Sequence, residues 1–435
     1  MTKSVLLISP DVIGEKMAGP GIRYINMAIE LSRYFNVVLL IPNVINKDYS
    51  PIKISVIERK TLKRELAQAD VVIIQGTILA RFPEIKKTKI PIVIDLYDPF
   101  ILENLESRKN DSMKETLFQY DLRILIDQLK NGDYFICSND RQLDFWVGML
   151  TATGRVNPTT YENSPTLDRL ISKVPFGIIN SPYFVKKSIK DSYPGLNKND
   201  YLFIWGGGIW DWLDPETAIR AIYRISKIRK DVKLMFMGII HPDRKSEVSN
   251  IIVQSVQLAK DLGVYQTQVL FNDWIDYDDR YQYLIDANAG LSIHKLHIET
   301  KYSFRTRVLD YIWASIPIIT TTGDAMADFV EKFKVGWVIS PGDDFELSQA
   351  ILSSIRDEDF VLKINERLQE LKRNFYWEKS VEPLVGFCSH PILSPDHRHK
   401  KNSYRLKSYI LFKLSSHKTI RSLLRYFRRP IIIKK

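Results

Sequence analysis

Residues 301–324 read KYSFRTRVLDYIWASIPIITTTGD, and the rest of the chain is best understood outward from them. The pattern predicts a loop, a helix and a buried strand. Leu309, Ile312, Trp313 and Ile316 recur at helical spacing and mark an apolar face. Ser303 or Thr306 is placed to cap the helix N-terminus. Ser303, Arg307 and Asp310 fall at i, i+4 and i+7, on the opposite face. PIITTT has the composition of a strand, ended by Gly323 and Asp324. Free N–H groups and the helix dipole favour an anion at a helix start, and a cation there adds to that preference. A carboxylate one turn further on suits hydroxyl groups such as those of a ribose. Together these features describe a nucleoside-diphosphate site. A surface helix with charges on its wet face accounts for the same residues.

Upstream, YLFIWGGGIWDWLDPETAIRAI (201–222) reads as a strand, a glycine loop and a helix. Asp214 is the N-cap, with Pro215 at the first helical position. Gly207 and Gly208 allow close backbone approach to a phosphate or sugar. Trp210 and Trp212 suit either packing or ring stacking. His294 and His297 flank a strand exit before Glu299, and no third ligand has metal spacing, so no metal site is expected.

The first half has the same rhythm. SVLLISP (4–10) is a strand, DVIGEKMAGPGIR a glycine-containing loop, and a helix is predicted from about Arg23 to Phe35. NVVLLIPN follows as a strand, which makes a Rossmann-like opening. Gly19, Pro20 and Gly21 are expected to let the backbone turn tightly, and Arg23 sits where a helix start could hold an anion; a plain αβ-turn accounts for the same residues. The GxGxxG dinucleotide fingerprint is absent, so no NAD is inferred. ISVIE, ADVVIIQG, IPIVIDLYD and DYFICSN read as further strands, and VPFGI (174–178) as the last of this half. Asp98 lies past the C-terminal end of its strand, where ligands bind in open α/β sheets. It is placed either to orient or deprotonate a hydroxyl or to turn the chain before Pro99. Asp140, Arg141 and Gln142 open a helix where a substrate could be met, and capping by Asn139 or Asp140 also explains them.

A chain of 435 residues exceeds a typical single core, so at least two domains are expected. The two cysteines, Cys137 and Cys388, lack partner spacing, which argues against a disulfide framework and for a reducing cytoplasm. The N-terminal apolar run is too short for a signal peptide, and none approaches the roughly 18 residues of a membrane span. The net charge is +11, yet residues 396–435 alone carry +12, which leaves −1 for residues 1–395. The basicity therefore belongs to the tail, the pI of 9.3 does not mark a nucleic-acid-binding domain, and nucleic acid is not expected as a partner. In the tail, Tyr404, Leu406, Tyr409, Leu411, Leu414, Ile420, Leu423, Leu424 and Phe427 recur at near-helical spacing among Lys and Arg. A basic amphipathic tail of this kind suits an anionic membrane surface.

These motifs resemble the family 4 glycosyltransferases of the GT-B fold. AGPGIRYINMAIELSRYFNVVLLIP carries the resemblance in the first half. WGGGIWDWLDPETAIRAI, FNDWIDYDDRYQYLIDANAGLSIH and SFRTRVLDYIWASIPIITTTGD carry it in the second. It covers about residues 3–388. It implies two Rossmann-like domains facing across a cleft: an acceptor domain at 1–180, a linker at 181–200 and a nucleotide-sugar donor domain at 201–375. A closing helix at 376–394 would cross back to the first domain, and the basic tail follows at 395–435.

The implied activity is hexosyl transfer from a nucleotide-diphosphate sugar to a glycan or lipid-linked acceptor, retaining and independent of metal or other cofactor. It would take place in the cytoplasm, at the inner face of a membrane. A sugar-nucleotide epimerase and a catalytically degenerate partner subunit share the fold and are the alternatives. Asp310 would be the carboxylate that grips the donor ribose. The family pairs two glutamates with seven residues between them; here Tyr302 and Asp310 stand at those positions and Glu299 lies three residues early. The cations usual near the second glycine loop are missing from GGGIWDW, and Arg305 and Arg307 are expected to replace them. The usual histidine after IPIVIDLYD is replaced by Asp98. The expected donor site is thus Gly207, Gly208, Glu299, Ser303, Arg305, Arg307 and Asp310, with Asp98, Arg305 and Arg307 in catalysis and Gly19, Gly21 and Arg23 at an acceptor or phosphate loop.

Overall fold

The computed structural model describes residues 2–180, 188–242 and 249–396. Part of the expected linker (181–187) and the tail from 397 lie outside the described residues.

Among these residues, thirteen strands form two sheets, both wholly parallel. The first contains β1 (Ser4–Ile8), β2 (Asn36–Ile41), β3 (Lys53–Val56), β4 (Val71–Gln75), β5 (Ile92–Asp95), β6 (Tyr134–Cys137) and β7 (Ile171–Lys173), in the order β3-β2-β1-β4-β5-β6-β7. The second contains β8 (Tyr201–Trp205), β9 (Val232–Phe236), β10 (Val269–Phe271), β11 (Ala289–Ser292), β12 (Ile318–Thr321) and β13 (Gly336–Ile339), in the order β10-β9-β8-β11-β12-β13. Parallel neighbours need crossover helices, which cover both faces and leave the strands dry. This is why VVIIQ of β4 and VKLMF of β9 are buried at every residue.

Each sheet reverses its strand order once, between β1 and β4 and between β8 and β11. A crevice opens beyond the C-terminal strand ends at such a point. In the second sheet Tyr311 fills the space beneath it. Its hydroxyl donates to the carbonyl of Leu291 (2.7 Å), lies 3.2 Å from that of Ile204 and accepts from Gly206 N (2.8 Å). Its ring lies so close to β11 that a Cβ on Gly290 would come within 2.3 Å of it. Gly290 thereby lets the helix Thr306–Ala314 dock at the crevice.

Two elements differ from the sequence reading. The first helix spans Gly19–Leu31, not Arg23–Phe35. Pro20 occupies its first turn, where a missing N–H costs nothing. A Cβ on Gly21 would lie 2.3 Å from the carbonyl oxygen of Val12, so this glycine serves helix-to-loop contact, not a turn. The last strand of the first sheet is β7, just before the expected VPFGI. Within VPFGI, Ile178 forms a parallel bridge with Tyr376.

The same bridge brings residues 376–389 onto the first sheet's side. Trp377 N donates to Ile178 O (3.1 Å), and the Trp377 ring lies 4.9 Å from that of Phe176. Phe387 stacks on Tyr134 at 4.2 Å. Further along, Asp396 receives a bidentate pair of bonds from Arg155 at 2.8 and 2.9 Å.

Candidate active site

The loops beyond β8, β11 and β12 converge at the second crevice. Gly207 has φ +70°, a conformation that favours glycine, and a Cβ there would meet open space. The carbonyl of Gly208 accepts from Arg307 Nη2 at 2.9 Å. The guanidinium of Arg307 lies 4.8 Å from the centre of the Trp205 ring, and its Nη1 is buried without a hydrogen-bond partner. Burial pushes Arg307 down to about 10, and the neighbouring Arg305 adds to the drop. Asp310 lies one turn on, half-buried, with Arg280 Nε 3.4 Å from its carboxylate. Burial raises Asp310 above the usual carboxylate range despite Arg280.

Other expected ligand groups are engaged within the protein. Glu299 is fully buried and takes both Nη atoms of Arg305, at 2.8 and 2.7 Å. Arg305 Nε is 3.5 Å from Asp324, whose other oxygen caps the following helix at Met326 N and Ala327 N. His294 Nε2 is 2.9 Å from Asp324, and His297 lies 3.7 Å from Glu299 and 3.0 Å from the carbonyl of Trp212. Burial alone would lower Arg305 and raise Asp324. Glu299 and Asp324 outweigh it for the arginine, which is raised, while His294 and Arg305 hold Asp324 below its usual range. Arg305 and Glu299 therefore do not stand open to a diphosphate, because separating them leaves a buried charge uncompensated. Ser303 is no N-cap and no free hydroxyl. It donates to Thr300 O at 3.0 Å, and the cap position is Arg305, without a side-chain cap bond.

At the first crevice Arg23 is enclosed. Its Nε and Nη2 reach Asp95 at 2.6 and 3.0 Å, Nη2 also donates to Val174 O, and Tyr97 lies 4.7 Å from it. It has no exposed surface and ties a helix to β5. Gly19 and Gly21 belong to the same helix, and neither has a positive φ.

Asp98 is half-buried just past β5, with the Glu103 carboxyl beside it. Burial raises both carboxyls, Glu103 well above its usual range, and each feels the other and Glu299. Such a pair retains a proton where an isolated carboxylate would not. Glu103 gave no signal in the sequence. It reaches Asp98 because a helix starts at Phe100, immediately after Pro99.

Asn139, Arg141 and Gln142 meet the donor-side loops, whereas Asp140 is exposed and pairs with Lys173 of the first half. Gln142 Nε2 donates to Tyr97 O (2.8 Å) and Tyr302 O (2.9 Å), and Arg141 donates to Gly323 O (2.7 Å). Trp210 and Trp212 stack at 5.9 Å and pack against the second sheet's core. No group of three or more His, Cys, Asp or Glu residues arranged for a metal ion occurs among the described residues. Nor is any helix there long and apolar enough to cross a membrane.

Neither a protein-family model nor a curated protein matches the sequence. Solved structures do match the fold. Sucrose-phosphate synthase from Thermosynechococcus elongatus superposes with a TM-score of 0.63 at 14% identity, over 88% of this chain and 98% of that one. WaaG, a glycosyltransferase involved in lipopolysaccharide biosynthesis, gives 0.63 at 14%, over 89% and 100%. Anabaena HepE, solved with UDP and glucose, gives 0.62 at 13%, over 89% and 99%. The shared architecture is GT-B, two parallel-sheet units with the crevices described above.

Proposed function

We propose that this chain is a family 4-like glycosyltransferase, moving a hexosyl group from a nucleoside-diphosphate sugar to a glycan or lipid-linked acceptor. The observation that carries the reading is Arg307: a buried guanidinium beside a glycine turn, with one amino group unpartnered and no carboxylate bonded to it. A diphosphate supplies the missing anion. HepE, similar in fold, was solved with UDP and glucose, which supports a donor of that class.

In this reading Arg307 and the N–H groups of the Gly206–Gly208 loop stabilise charge on the leaving diphosphate, where fixed donors are most effective. Asp310 takes the ribose. Glu299, Arg305, Asp324 and His294 hold the loop that presents Arg307. Asp98 and Glu103 face the cleft from the acceptor side and hold the acceptor hydroxyl, with one proton between them. We read the transfer as retaining and as needing no metal, the guanidinium providing the positive charge. The basic tail is proposed to hold the protein on an anionic membrane from the cytoplasmic side.

The test is a donor screen. UDP-, GDP- and ADP-sugars are incubated with the protein, with and without lipid and glycan extracts, and nucleotide release is measured. Release that acceptor stimulates supports transfer; sugar isomerisation, or absence of nucleotide binding to the folded protein, contradicts it. For the tail, the full chain should float with anionic vesicles, less so in high salt, and a chain ending at Ser394 should not. Equal flotation of both would remove the tail as the anchor.

A further inference from the structure

The helix Asp140–Ala152 begins where the two crevices face each other. Its N-cap, Asn139, accepts from Gln142 N at 2.9 Å, and its amide nitrogen donates across to Ser303 O at 3.3 Å. One turn on, the Phe145 ring lies 4.9 Å from that of Tyr302. Arg141 donates to Gly323 O and pairs with Asp328. Gln142 has no exposed surface and spends its amide on three backbone groups. Its oxygen accepts from Ser138 N at 2.9 Å, and its nitrogen donates to Tyr97 O and Tyr302 O. A primary amide has two donor hydrogens, so both are used.

The two carbonyls belong to opposite sides of the proposed reaction. Tyr97 precedes Asp98 on the acceptor side. Tyr302 ends the short helix that carries Glu299 and leads into the Ser303–Arg305 turn before Arg307. No other side chain type of that size offers two donors and an acceptor in one plane. We infer that Gln142 is a positioning residue: its amide fixes the spacing between the Asp98 carboxyl and the loop that presents Arg307, and so sets the distance over which the sugar passes. The inference rests on the transferase reading for its chemical consequence, but the spacing itself is a property of the folded chain.

Gln142→Glu separates these parts. The carboxylate still accepts from Ser138 N and has no hydrogen for either carbonyl. Spin labels are placed at Val44→Cys and Ile228→Cys, positions 79% and 78% exposed on the first and second halves, while Cys137 and Cys388 are buried. In the Gln142→Glu background the label-to-label distance distribution should broaden or shift. With an active donor, kcat should fall about tenfold to a hundredfold, the scale of a displacement near 1 Å, while the donor KM holds. If Gln142→Glu does not fold, Arg141→Ala on the same seam should broaden the distribution to a smaller extent. An unchanged distribution in the folded variant overturns the inference, and so does a kcat loss matched by an equal rise in donor KM. The distance measurement needs no substrate, so failure of the transferase reading does not disguise failure of this one.

Discussion

Each crevice holds a buried arginine, and the two differ in what faces them. Arg23 at the first crevice is matched by Asp95 through two bonds and lies under Tyr97. Arg307 at the second is held by one carbonyl, that of Gly208. Each leaves Nη1 without a hydrogen bond. The difference is in charge: Asp95 raises Arg23, whereas burial lowers Arg307 to about 10. A desolvated cation with a matched anion is complete. One without is costly unless an anion arrives. Arg305, two residues from Arg307, falls on the completed side through Glu299. Arg23 and Arg305 are thus paired within the protein, and Arg307 is the arginine proposed to meet a ligand.

The largest effect should come from the carboxyl that faces the second crevice from the first. Asp98→Asn should lower transfer by roughly 10² to 10⁴, the usual range for a positioned acid or base, and leave nucleotide affinity unchanged. Full turnover in that variant would reduce Asp98 to a turn residue. Next, Arg23→Met leaves Asp95 buried without its partner and should cost about 3–5 kcal/mol of stability in denaturant titrations. The fraction still folded should bind nucleotide normally; weaker binding there would place Arg23 at the ligand and collapse the comparison.

Asp310→Asn should be milder. It weakens nucleotide binding by about 1.5–3 kcal/mol, the scale of a hydrogen bond to a charged group, with the fold retained. Unchanged affinity by calorimetry would take the ribose away from Asp310. The smallest effect concerns pH. The folded-state pKa of Glu103 is raised well above its unfolded value by burial and by Asp98. Its contribution to stability is therefore full below the unfolded pKa and is lost as pH rises through the folded one. Glu103→Gln should flatten the decline in stability that sets in as pH rises above the unfolded-state pKa of the carboxyl. A wild-type profile in the variant would show that Glu103 does not hold the proton.

The sequence made the alternation of strands and helices legible because parallel strands are buried on both faces and read as unbroken apolar runs. The glycine turn at Gly206–Gly208 and the Arg307–Asp310 spacing were legible for the same local reason. Pairings were not. Glu299 and Arg305 each look like ligand groups in isolation, and nothing in their six-residue separation shows that they bind each other. Asp95 and Arg23 are 72 residues apart and meet only through the order of the sheet. Glu103 reaches Asp98 through a helix start at Phe100 that Pro99 did not by itself announce. Gln142 stood at a helix start that suggested a substrate, and only the fold shows that two backbone carbonyls occupy its donors.

The most direct test is calorimetric titration of UDP, GDP and ADP into the wild-type protein and the Arg307→Ala, Arg307→Lys and Arg305→Lys variants. At least one nucleotide should bind wild type. For that nucleotide, Arg307→Ala should lose about 1.5–3 kcal/mol and Arg307→Lys less, since lysine keeps the charge but not the two-pronged geometry. Arg305→Lys should lower the melting temperature more than the affinity. Equal affinities for wild type and Arg307→Ala, or a larger affinity loss at Arg305 than at Arg307, would contradict the account.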